Sequence, residues 1–177
     1  EYGYYPHNLH FILTSAMMAG DGMTALSTAS KLDAALPQDM SSLAPWITLI
    51  RPSAYYAHAQ FSAPETVLRL PDPGTESVMD KIAWHYARGL AFAAEGDTAS
   101  AQSETDQIDA LVSSEGVAEL EAQYLPAGDI ARISSLVISA RIAAQDGDLP
   151  SAISLMERAA DLQDALPYSE PPIWYYP

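Results

Sequence analysis

The chain has 177 residues, enough for one domain with a buried core, and 49% of them are hydrophobic. Only 8 lysine and arginine residues oppose 23 aspartate and glutamate residues, which gives a net charge of −15. Such an acidic surface repels phosphate backbones and anionic lipids, so we expect neither a nucleic-acid nor a membrane partner. The chain contains no cysteine, which excludes disulfides, thiol catalysis and thiolate zinc sites.

No apolar run reaches the roughly 20 residues that a membrane-spanning helix needs, and no signal peptide is present. We expect a cytoplasmic location; the alternative is that a targeting segment was removed with the ends of the parent chain. The chain begins at Glu1 without a methionine, which is typical of a fragment trimmed from a longer protein.

Three apolar helical runs end in the same dipeptide, at Gly20-Asp21, Gly96-Asp97 and Gly147-Asp148. Each is followed by a second amphipathic run. Glycine can adopt the left-handed conformation that ends a helix, and aspartate can cap the next one. The pattern therefore predicts the tight turn of a helical hairpin.

Four hairpins are predicted in chain order, at residues 7–37, 44–71, 75–113 and 127–165, and residues 166–177 are interpreted as the start of a further repeat. The buried stripe of the first helix is predicted from helical spacing. Its members are Leu9, Ile12, Leu13 and Ala16.

Proline and polar residues mark the boundaries of the later hairpins. Pro52 interrupts the second hairpin, which predicts a kinked helix or a short helix followed by a longer one. Thr75 or Ser77 is expected to open the third hairpin, and Asp129 is a candidate cap for the fourth. Pro37 is expected to end the first.

The chain resembles a tetratricopeptide repeat (TPR) protein, because apolar, alanine and glycine positions recur in a similar order. The first repeat matches at Leu9, Ile12, Leu13, Ala16, Gly20, Ala25, Ala29, Leu32 and Pro37. The third matches at Gly89, Phe92, Gly96 and Ala101, and the fourth at Leu136, Ala140, Ala143, Gly147, Ala152 and Ala159. The fourth has Asp164 in place of the closing proline, and the degenerate second repeat has Gln60 at the expected turn glycine.

Residues 5–11, 85–89 and 168–177 are also similar to segments of larger bacterial TPR-containing proteins. The resemblance implies an all-α, right-handed α-α superhelix that forms an internal or C-terminal portion of a longer solenoid. It implies a scaffold or recognition role without a reaction. An ordinary all-α bundle of four hairpins is the alternative architecture.

In a stacked array, the first helix of each hairpin lines a concave groove, and we expect a protein or peptide partner to bind there. His7, His10, Thr14 and Met17 lie on a different face of the first helix from the predicted core. The predicted contact residues are His7, His10, Tyr86, Arg88 and Arg141, followed by Asn8 and Arg51. Each could instead be an ordinary solvated or locally bonded side chain.

An enzymatic alternative uses the histidines. His7 and His10 share one helical face and could hold a metal if His85 or a carboxylate joined them, as in a metal-dependent hydrolase. The chain has no His-Glu-x-x-His motif, and His85 equally suits an interior position. We therefore expect no catalytic residue, no metal and no cofactor.

Aromatic residues mark both ends of the chain, at Tyr2, Tyr4, Tyr5, Trp174, Tyr175 and Tyr176. They could meet another repeat, form a homodimer with a second copy, or fold back onto the last hairpin. The predicted function is protein–protein interaction or scaffolding. A purely structural segment, whose only partners are adjacent repeats of its own chain, remains the other alternative.

Overall fold

The computed structural model describes residues 4–36, 47–74, 77–170 and 174. Within these ranges the backbone is all-helical, without strands. The helices are α1 (Tyr4–Ala19), α2 (Gly22–Ala35), α3 (Ile47–Ile50), α4 (Ser53–Phe61), α5 (Pro64–Val67), α6 (Val78–Ala94), α7 (Thr98–Val112), α8 (Glu115–Ala122), α9 (Ala127–Gln145) and α10 (Leu149–Asp164). Pro37, Thr75, Tyr2, Tyr175 and Tyr176, named above, lie outside the described residues.

The three Gly-Asp dipeptides form the predicted turns. Gly20, Gly96 and Gly147 have φ angles of 74°, 79° and 82°, in the left-handed region that favours glycine. The aspartate after each glycine accepts a hydrogen bond from a backbone N–H in the first turn of the next helix, at 3.0 to 3.1 Å. The turn prediction is confirmed at all three positions.

The second hairpin has a short return helix. The prediction of a short helix followed by a longer one at Pro52 is confirmed by α3 and α4. The return helix of this hairpin, α5, begins after Ala63. The turn residue is therefore Ser62, and not Gln60 as predicted. Ser62 lies 34 residues before Gly96, the turn residue of the third hairpin.

The helices pack in chain order. Helix α1 packs against α2, α6 against α7, and α9 against α10. Between hairpins, α2 contacts α4 and α7 contacts α9, while α4, α6 and α9 also contact one another in succession. The longer helices therefore form neighbouring pairs that follow one another along the chain.

Two glutamines join neighbouring hairpins in the same way. Gln60 and Gln145 each lie two residues before a turn residue, at the end of α4 and α9. Their side-chain amides donate to the carbonyl oxygens of Met17 and Ala93, at 3.2 and 2.7 Å. Both acceptors lie three residues before the turn glycine of the preceding hairpin, so the two contacts are equivalent.

Two local predictions are wrong. Ile12 is 48% exposed, whereas Leu9, Leu13 and Ala16 are buried, because α2 and α4 cover only part of α1. Asp129 does not cap α9, which begins at Ala127; it lies in the first turn and pairs with Arg132 at 2.9 Å. In the described part of the chain, every helix is too short or too polar to cross a bilayer.

Replacing Asp148 by alanine should lower the free energy of unfolding by about 1 kcal/mol, because the N-terminus of α10 loses its cap. Urea denaturation followed by circular dichroism measures the change. Asp146→Ala removes an exposed carboxylate two residues away and is the control. Equal losses in the two variants would contradict the capping role.

Candidate functional site

The predicted contact residues do not share one surface. His10 and Tyr86 are only 2% and 1% exposed, and Thr14 and Met17 are also buried. The prediction that these four side chains face an open groove is wrong, because all four are buried, and Trp174, which lies beyond the last helix, packs against Tyr86. Burial, together with the charge of His7, lowers the pKa of His10 to about 4 and keeps its ring neutral at pH 7.

His7 and Asn8 remain near the surface at the start of α1. The ring of His7 packs edge-on against Phe11, with centroids 4.8 Å apart, and Asn8 is exposed. Among the described residues, no group of three or more His, Asp or Glu side chains is placed to hold a metal ion. The alternative site at His7, His10 and His85 is therefore not assembled.

Three aromatic rings from distant segments meet between α4 and α6. Trp174 lies edge-on to both Tyr56 and Tyr86, with centroid separations of 5.4 Å, and the two tyrosines lie 5.8 Å apart. Trp174 is 5% exposed. A residue from beyond α10 thus packs against the second and third hairpins.

Arg141 of α9 lies beside this aromatic cluster and is exposed. Burial raises the pKa of Tyr86, and the positive charge of Arg141 offsets part of that rise. Arg141 forms no ion pair within the described ranges. It also borders a cavity of about 420 Å³ with Leu90. We call the region formed by Tyr56, Tyr86, Leu90 and Arg141 the inner groove; Trp174 packs against its two buried tyrosines.

Arg88 and His85 are held in a network within the third hairpin. Glu104 of α7 accepts from Arg88 Nε at 2.7 Å and lies 2.5 Å from His85 Nδ1. Burial would raise the pKa of Glu104, but the hydrogen bonds from His85 and Arg88 outweigh it and lower that pKa. Arg88 also lies over the ring of Trp84, at 4.6 Å. These contacts join α6 to α7, and His85 is a bonded interior histidine.

Arg51 lies in a second cavity, of about 410 Å³, at the N-terminal end of α6. We call it the polar cleft. Its walls come from α2, α4, the segment after α5, and α6. The lining residues are Ser30, Asp33, Arg51, Ala54, Tyr55, His58, Leu70, Pro71, Asp72, Pro73 and Asp80.

Asp80 is the most deeply buried charged group of the polar cleft, at 4% exposure. Its Oδ2 lies 3.0 Å from Arg51 Nε, whereas Oδ1 has no hydrogen-bond partner among the described residues. Burial raises the pKa of Asp80 to about 6, and Arg51 and the Ser77 hydroxyl offset only part of this effect. Asp80 therefore changes charge just below neutral pH.

The polar cleft, apart from Arg51, and the contacts of Trp174 were not predicted. The spacing Ser77-x-x-Asp80 is a helix-start signal, and Ser77 does cap α6, confirming that prediction. The same signal does not reveal that Arg51 lies beside Asp80, because Arg51 comes from the turn between α3 and α4, whereas Asp80 lies in α6.

No protein-family model, no curated protein and no solved structure matches this chain. The roles of the inner groove and of the polar cleft are therefore inferred from their geometry alone.

The pH dependence of stability should report on Asp80. A carboxyl whose pKa is about 6 when folded and 3.8 when unfolded contributes stability below pH 3.8 that is lost as the pH rises through 6. Wild type should therefore lose up to about 3 kcal/mol relative to Asp80→Asn between pH 4 and pH 7. Urea titrations at several pH values measure this difference.

Asp146→Asn, which removes an exposed carboxylate outside the polar cleft, provides the comparison and should not reproduce the relative loss. A constant difference in unfolding free energy between wild type and Asp80→Asn across this range would contradict the burial of an ionisable Asp80.

Proposed function

We propose that this chain is part of a right-handed, TPR-like helical solenoid that binds an extended protein or peptide segment in its inner groove. The neighbouring helix pairs support this proposal, as does the 34-residue interval between Ser62 and Gly96. The equivalent contacts of Gln60 and Gln145 support it further, because a repeated architecture repeats its junctions.

The observation that carries the binding role is the position of Trp174. Its indole packs against Tyr56 and Tyr86, which come from successive first helices. A groove that holds an aromatic side chain from outside the helix pairs has the shape and the apolar surface for an aromatic anchor of a bound segment. We propose that the partner segment carries such an anchor.

The charge of Arg141 adds a second element to the groove. Arginine binds carboxylates through paired N–H groups, and the guanidinium of Arg141 has no carboxylate partner among the described side chains. We propose that it pairs with an acidic residue of the partner. Arg51 and Arg88 already have carboxylate partners, which makes them weaker candidates.

The same position of Trp174 also favours the purely structural alternative, in which its segment only joins parts of one chain. A homodimer that exchanges this segment between two copies is a variant of the binding proposal. The binding proposal requires the inner groove to accept a segment in trans, so failure of a peptide to bind there would favour the structural alternative. We propose a binding role rather than a catalytic one.

A fluorescein-labelled peptide of residues 168–177 should bind the Trp174→Ala variant in the micromolar range, because that variant leaves the inner groove open. Fluorescence anisotropy measures the affinity. Wild type should bind the peptide at least about tenfold more weakly, because its tethered Trp174 competes at a high effective concentration.

The matched control peptide has alanine in place of Trp174 and should not bind. Trp84→Ala changes a tryptophan outside the inner groove and should behave as wild type. Circular dichroism checks folding, and Trp174→Leu replaces the alanine variant if helical signal is lost. Absence of saturable binding to a folded open variant would favour the structural alternative.

A further inference from the structure

The outward half of α1 is largely apolar and carries no formal charge. Leu9 and Leu13 lie on the buried side of the helix, whereas the opposite side is exposed. We call this exposed side the end face, and its main residues are Tyr4, Tyr5, Phe11, Ile12, Ser15 and Met18. The 16 residues of α1 include no aspartate, glutamate, lysine or arginine, although the chain has a net charge of −15. A contiguous exposed apolar face of this kind marks an interaction surface.

The position of the end face within the repeat shows what kind of surface it is. Phe11 lies nine residues before the turn residue of its hairpin, and the residues at that position in the third and fourth hairpins are Ala87 and Ile138. Both are buried. Ala87 packs in one cluster with Val67 of the second hairpin, and Ile138 lies against Gly89 of the third. The end face therefore corresponds to the surface through which later hairpins contact the preceding one.

A shallow groove of about 430 Å³ runs along the end face towards the start of α2. Phe11, Ile12 and Ala19 are among its lining residues. Within the described part of its lining, Asp21 alone is charged, and its carboxylate already accepts hydrogen bonds from Thr24. The groove can therefore receive apolar side chains of a partner.

We propose that the end face binds the end face of a second copy of this chain, in an isologous dimer with two-fold symmetry. Two copies that each carry a net charge of −15 repel each other over most of their surfaces. The end face brings no charged side chain of α1 into the contact, so the copies can approach there at the lowest electrostatic cost. The dimer does not depend on the function proposed for the inner groove.

Head-to-tail stacking, with α10 of one copy against α1 of the next, fits less well. The exposed side of α10 carries Glu157 and Asp161, which would be desolvated against the apolar end face. Met18 also stands two residues before the turn glycine, where α4 and α9 have Gln60 and Gln145. The hydrogen bond that joins neighbouring hairpins at that position is therefore missing from α1.

Sedimentation velocity of the full chain at pH 7.5, over about 5 to 500 µM, tests the dimer through its concentration dependence. Helix α1 is about 24 Å long, so the contact lies at the lower end of specific interfaces, and we expect a Kd of about 10 to 100 µM. Added sodium chloride should tighten the dimer, because salt screens the repulsion between two acidic copies.

Charges placed at Ile12 identify the interface. Ile12 lies midway along α1, and therefore near the two-fold axis of the dimer. Ile12→Glu and Ile12→Lys should each raise the Kd at least about tenfold, because like charges then meet near the axis. An equimolar mixture of the two variants should associate again, because opposite charges then meet. Circular dichroism checks folding, and Met18→Glu, at a more exposed position, replaces either variant if helical signal is lost.

Ile153→Glu is the matched control, because Ile153 is also an exposed isoleucine but lies on α10. It should leave the Kd unchanged, and Trp174→Ala should dimerise as wild type does. Loss of association in Ile153→Glu would indicate head-to-tail stacking, and loss in Trp174→Ala would indicate exchange of the C-terminal segment; either result would overturn the end-face dimer.

Three further results would also overturn it. These are a wild-type chain that stays monomeric over the whole concentration range, an unchanged Kd in the folded Ile12 variants, and a mixture of those variants that does not associate. None of them bears on peptide binding in the inner groove, which the anisotropy measurement tests separately.

Discussion

The backbone reversal between paired helices is the constraint on which the arrangement depends. At Gly20, Gly96 and Gly147, a residue with positive φ ends one helix, and the following aspartate caps the next. A side chain at the glycine would be strained in that conformation. Because the reversal is tight, the two helices run antiparallel and expose a common apolar face, which lets α7 pack against α9.

Both candidate sites follow from how the hairpins stack. Gly89 of α6 lies so close to Ile138 of α9 that an added Cβ would come within 2.6 Å of Cδ1, which shows how near these helices approach. The contact of α4 with α6 places Tyr56 beside Tyr86. Helix α5, the return helix of the second hairpin, is short, so the chain after Val67 continues as an irregular segment. That segment forms one wall of the polar cleft.

Features set by neighbouring residues could be predicted from the sequence, whereas features set by distant elements could not. The glycine turns, the Ser77 cap and the break at Pro52 follow from local backbone chemistry. Helical periodicity placed Ile12 in the core, but its exposure depends on which neighbours cover α1. The burial of Tyr86 likewise depends on Trp174, a residue 88 positions later. The pairing of Arg51 with Asp80 joins the turn between α3 and α4 to α6, which no single-helix pattern specifies.

The central claim is that successive helix pairs stand side by side and that residue 174 returns to the second and third pairs. A two-dimensional NOE spectrum of the full chain tests it most directly, with aromatic signals assigned by single substitutions. Ring centroids 5.4 Å apart predict cross-peaks from the Trp174 indole to the ring protons of both Tyr56 and Tyr86. Cross-peaks from Trp174 only to residues near it in sequence would contradict the account.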